Sequence, residues 1–123
     1  MAEAGSPRHA AMVVLLVLYM LGIDNARASG NSARFSSILE SLPSRCLPDQ
    51  AADNLPFGQG FNTPQKLGDG KSMPDWAADL PGLEVAATLE IPYADVTGIA
   101  VTPDSARAFG RNLARAIQRY LRK

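Results

Sequence analysis

A few strongly patterned stretches of this chain are separated by one long stretch with almost no pattern. Ala10 to Ile23, "AAMVVLLVLYMLGI", is the most apolar run. It falls short of the ~20 residues a helix needs to span a bilayer comfortably. Two readings fit it. In one it is the core of a secretory signal peptide: Arg8 precedes it, and Ala26-Arg27-Ala28 offers small residues at a cleavage site that would leave a mature start at Ser29. Glu3 weakens the positive end of such a peptide, and Asp24 lies close to the cut. In the other reading Val13 to Met20 is a buried parallel strand followed by a loop from Gly22, since strands covered on both faces read as continuous Val, Ile and Leu. The chain therefore divides into residues 1–28, a polar N-terminus plus the apolar segment, and residues 29–123, a partial α/β domain.

Helical periodicity follows. Phe35, Ile38, Leu39 and Leu42 fall at i, i+3, i+4 and i+7, which predicts a helix over residues 33–42, capped by Asn31 or Ser32 and stopped by Pro43. From Pro43 to Pro81 the pattern lapses into a long loop punctuated by proline and glycine. Leu55, Phe57, Phe61, Met73 and Trp76 lie within it and predict that it packs against the rest. Leu83 to Ile91 then alternates: Val85, Ala87, Leu89 and Ile91 share one face, and Glu84, Ala86, Thr88 and Glu90 share the other. Pro92 ends that strand, having no N–H for a ladder. Thr102-Pro103-Asp104 opens a last helix with a capping hydroxyl, a proline in the first turn and an early acid. Its apolar stripe is Phe109, Leu113, Ile117, Tyr120 and Leu121, which carries it to about Leu121. The predicted fold is α/β: a partial mixed sheet of two strands, two helices and a long Pro/Gly-rich loop.

Composition narrows the chemistry. Lys plus Arg and Asp plus Glu both number 12 in the 123 residues, so no net field recruits nucleic acid or an acidic membrane. A single cysteine, Cys46, rules out an internal disulfide. With one histidine, His9, beside Arg8 in a polar tail, the chain lacks the ligands of an ordinary structural or catalytic zinc site. A Ser-His-Asp or Cys-His arrangement would have to run through that same residue. Gly58-Gln59-Gly60 lacks the entering strand and following Lys-Ser/Thr of a phosphate loop and reads as a turn. Arg107, Arg111, Arg115 and Arg119 recur along one flank of the last helix, either as an anion-binding stripe or as a solvated face that complements the helix dipole.

Glu90 is the candidate catalytic residue. It closes an apolar strand beside the small Ala86 and Thr88, and ligands of open α/β sheets bind outside the carboxyl ends of strands. Apolar walls there would raise its pKa and suit it to general-base work. The plainer alternative is a strand-end glutamate that is solvated or paired with an arginine. "AADNLPFGQGFNT" (Ala51 to Thr63), "TLEIPYA" (Thr88 to Ala94) and "ARAFGRNLARAI" (Ala106 to Ile117) together resemble the C-terminal part of bacterial zinc metallocarboxypeptidases of the carboxypeptidase A-like class. The resemblance spans about residues 19–121. It implies a mixed sheet between helices, with Glu90 as the base that activates a zinc-bound water. It also implies a His-x-x-Glu pair, a later zinc-binding His and arginines that hold the substrate carboxylate, and the zinc motif is missing from this sequence.

Two functions from different classes follow. The first is a remnant or C-terminal fragment of a zinc-dependent carboxypeptidase-like hydrolase. It would be inactive alone, hold no cofactor in this chain, and be completed by a separate chain or N-terminal region carrying the zinc ligands. The second is a small exported, non-catalytic binding or structural protein beginning near Ser29. A membrane enters only if the apolar run stays uncleaved, and the balance of signals points to an extracytoplasmic location.

Overall fold

The computed structural model describes residues 19–42, 47–63 and 70–122. His9, Cys46 and most of the Val13 to Met20 segment lie outside them. In chain order the elements are β1 (Tyr19–Leu21), α1 (Ala26–Ser41), a single 3₁₀ turn (Ala51–Asp53), α2 (Met73–Ala78), β2 (Thr88–Glu90), β3 (Asp95–Val96), β4 (Ile99–Ala100) and α3 (Pro103–Leu121). The class is α/β, as the sequence predicts, with two small antiparallel sheets, β1–β2 and β3–β4. The end of the first apolar run is indeed a strand, but it runs antiparallel to β2, with Tyr19 opposite Glu90 and Leu21 opposite Thr88.

Local signals explain most of the element boundaries. α1 starts well before residue 33 because Asn25, rather than Asn31 or Ser32, is its cap: the Asn25 side chain accepts the Ala28 N–H at 3.0 Å. Gly30 is carried inside the helix, where the surrounding space is open. The expected cleavage residues Ala26 to Ala28 form the first turn of α1, with Ala28 fully buried. A chain starting at Ser29 would lack β1, the Asn25 cap and that turn. α2 interrupts the expected loop because Ser72 accepts the Asp75 N–H and Pro74 sits in the first turn. The β3–β4 hairpin turns through Thr97 and Gly98, both at positive φ, which suits a two-residue hairpin turn. α3 opens with a full capping box: Ser105 donates its amide to Thr102 Oγ1 at 3.0 Å, and Thr102 donates its own to Ser105 Oγ at 2.8 Å.

The main core joins Met20 of β1, Phe35, Leu39 and Leu42 of α1, Leu47, Val96 of β3, and Phe109, Ala116 and Tyr120 of α3. Phe35 meets Tyr120 edge-on at 6.1 Å, and the Arg34 guanidinium lies 3.8 Å from the same ring's centre. A smaller cluster gathers Ile23, Ala28, Ala78 and Ala86. The alternation before β2 divides between them: Val85, Ala87 and Leu89 pack on the main core, and Ala86 on the smaller one. Ile91 is exposed, since the ladder stops at Glu90. The α3 stripe is rotated from the expected one. Phe109, Asn112, Ala116 and Tyr120 are buried, while Ile117 and Leu121 are 47% and 66% exposed.

Two asparagines fasten β1 to its surroundings. Asn54 accepts the Met20 amide on Oδ1 at 2.9 Å and donates from Nδ2 to Ser36 Oγ at 2.7 Å. Asn62, fully buried, donates from Nδ2 to the carbonyls of Gly22 and Leu55. Gly22 must be glycine-sized there, because a Cβ would lie 2.9 Å from the Phe57 amide nitrogen.

Candidate functional site

Glu90 occupies the end of β2, as the alternation predicts. Its side chain is exposed, and among the described residues no hydrogen bond or ion pair engages it. The residues that follow it do not wall it in: Ile91 is exposed and Tyr93 is 93% exposed. Of its small neighbours, Thr88 is half-buried and Ala86 belongs to the smaller cluster. The strand end thus presents a carboxylate to solvent, with Tyr19 its cross-strand partner.

The described residues do not fit a zinc centre. Among the described residues no three His, Cys, Asp or Glu side chains gather where they could hold a metal ion. As a carboxylate, Glu90 can accept a proton or a hydrogen bond. The other two segments that carry the resemblance have structural duties. Ala51 to Thr63 supplies the asparagine ties to β1, with its Gly58-Gln59-Gly60 stretch a turn at positive φ at both glycines. Ala106 to Ile117 is the body of α3.

The arginine stripe faces outward. Arg107, Arg111, Arg115 and Arg119 are all exposed; Arg107 pairs with Asp104 at 3.2 Å, and Arg115 reaches Asn112 Oδ1 at 3.4 Å. Only Arg119 falls in the last turn, where a cation complements the dipole.

Among the described residues Asp49 is a carboxylate that the fold perturbs, and it carries no local signature in the sequence. Both of its oxygens are out of solvent contact and without a hydrogen-bond partner. They lie by a cavity of about 20 Å³ lined by Leu39, Leu42, Phe109 and Asn112 among others, too small for a substrate. Burial first, then the negative charges of Glu40 and Asp53, raise its pKa from 3.8 to about 6.

Larger hollows are also lined by described residues. One, of about 550 Å³, lies between the Gly82–Leu89 segment and the helices, walled by Phe35 and Leu39 of α1 and Leu113, Ile117, Tyr120 and Leu121 of α3. Its polar end is Glu84, whose Oε2 accepts from Tyr120 Oη at 3.0 Å and Asn31 Nδ2 at 3.2 Å. Another, of about 400 Å³, lies between the end of β1, the start of α1 and residues 54–57, with the Ser32 hydroxyl buried and unpartnered near it. Glu90 lines neither. Among the described residues no helix is long and apolar enough to cross a membrane. No known protein family, curated protein or solved structure matches the chain.

Proposed function

We propose that this chain is a C-terminal fragment or remnant of a zinc-dependent carboxypeptidase-like hydrolase, inactive alone, in which Glu90 is the residue left of the catalytic apparatus. The observation that carries the reading is the placement of Glu90. It stands at the end of a strand, two residues before a proline that halts the ladder, with its carboxylate in solvent and unengaged by the described residues. A carboxylate so placed accepts a proton from an attacking water, and the metal ligands have to come from residues outside this chain's described part. The participation of Tyr19 to Leu21 in the sheet favours the apolar run as an interior strand over the exported alternative.

The assay is hydrolysis of a C-terminal peptide bond by the chain alone and by the chain mixed with a polypeptide carrying His-x-x-Glu, both with added zinc. The chain alone is expected to be silent. The mixture is expected to hydrolyse, and Glu90→Gln to cost it on the order of 10²–10⁴ in rate, the usual weight of a general base. Equal hydrolysis with glutamine at this position would remove Glu90 from the chemistry.

A further inference from the structure

The backbone of β2 has one edge that nothing in the described structure covers. Met20 shows which edge it is. Its amide donates to Asn54 Oδ1 and its carbonyl accepts from the Leu55 amide at 2.9 Å, so both Met20 groups face away from β2. Because backbone groups alternate along a strand, Tyr19 and Leu21 are the β1 residues that face β2, and their partners Glu90 and Thr88 form the hydrogen-bonded pairs. Leu89 must then direct its N–H and C=O to the opposite side, and an extended chain through Ala87, just before β2, puts that residue's groups in the same row. Among the described residues no hydrogen bond satisfies these groups. β1 has no such exposure, because Leu55 pairs alongside it.

An open strand edge is a template for another strand, and soluble proteins ordinarily block it with charge, proline or a covering element. Here Ala86 to Leu89 carries no charge, and its apolar side chains Ala87 and Leu89 line the 550 Å³ groove, at whose wall Ile117 and Leu121 of α3 are exposed. We propose that a second copy of this chain covers the edge, its β2 pairing antiparallel with β2 across a two-fold axis through Thr88. In that register Ala87 exchanges both backbone bonds with Leu89 of the second copy, and Leu89 with its Ala87. Thr88 meets Thr88, a favourable cross-strand pair. Glu90 falls opposite Ala86 of the second copy, so the two carboxylates stay apart. Paired residues project to the same face of a sheet, so the two grooves become neighbours and the sheet grows to four strands, β1–β2–β2–β1. A chain with equal numbers of acidic and basic residues has no net repulsion to oppose this. The pairing does not depend on the catalytic reading of Glu90.

The test is sedimentation equilibrium of the full chain over a wide concentration range, with reductant present so that Cys46 cannot link copies. A species of twice the 13.1 kDa chain mass is expected. Ala87→Pro removes one outward N–H while leaving the β1 pairs at Thr88 and Glu90, and is expected to weaken association about tenfold or more. Leu121→Lys, at an exposed helix position remote from the ladder, guards against a folding defect in the proline variant and is expected to weaken association in the same direction. Amide exchange adds a signature a generic dimer lacks: protection at Ala87 and Leu89 rises with concentration, while Thr88 and Glu90 are protected throughout. A chain that stays monomeric, or a dimer indifferent to both variants, overturns the proposal.

Discussion

Asp49→Asn is expected to stabilise the protein at neutral pH. The two Asp49 oxygens are out of solvent contact and without a hydrogen-bond partner, and Glu40 and Asp53 add negative potential. Ionising the group in the fold therefore costs more than ionising it in the unfolded chain. A rise from 3.8 to about 6 sets a ceiling of about 3 kcal/mol, at roughly 1.4 kcal/mol per tenfold change in proton affinity. The residue as a whole is only half-buried, and solvent screening reduces the figure to roughly 1–2 kcal/mol. The sign follows from linkage. Between pH 3.8 and about 6 the folded state holds the proton that the unfolded state has released, so this group's contribution falls as pH rises through that window and is level above it. Asparagine, neutral at every pH, lacks that dependence. Urea unfolding of both proteins from pH 4 to 8 reads it directly. The variant should be more stable by about 1 kcal/mol at pH 7, with the gap closing toward pH 4. A variant less stable than the parent at pH 7, with the gap widening as pH rises, would mean that the carboxylate is stabilised in its charged form and would refute the reasoning.

Two further substitutions test how the fold is fastened. Asn62→Ala removes a buried amide that serves the Gly22 and Leu55 carbonyls, and should cost about 2 kcal/mol or more, read as a lower urea midpoint with unchanged slope. Thr102→Ala breaks the capping box of α3 and should cost about 1 kcal/mol, with early loss of amide protection confined to the first turn of that helix.

What could be read from the sequence divides by the range of the interactions. α3 was legible because Thr102, Pro103 and the periodic apolar residues lie within the helix they specify. The short α2 carries the same kind of signal in Ser72, Pro74 and Asp75, hidden among the prolines and glycines of the loop. The start of α1 is ambiguous in the sequence because Asn25, Asn31 and Ser32 all precede the apolar stripe, and the structure uses Asn25, with Ala28 buried in the first turn. The antiparallel sense of β1 against β2 had no local mark, since a short apolar run reads alike in either direction. For Glu90 the strand end was legible and the surroundings were not, because burial depends on which distant elements arrive. Asp49 shows the same limit: its isolation is completed by Phe109 and Asn112, far away in the chain.

The β1–β2 ladder also has a consequence for the order of events during synthesis. Tyr19 pairs with a residue that emerges roughly seventy positions later, several seconds at about 5–20 residues per second. α1 is made in that interval, but its partner α3 is made later still, and an isolated helix of this length is marginal in water. The nascent chain must therefore hold Met20, Phe35 and Leu39 uncovered until Phe109 and Tyr120 arrive. A ribosome stalled anywhere before α3 would present that unfinished apolar face to chaperones.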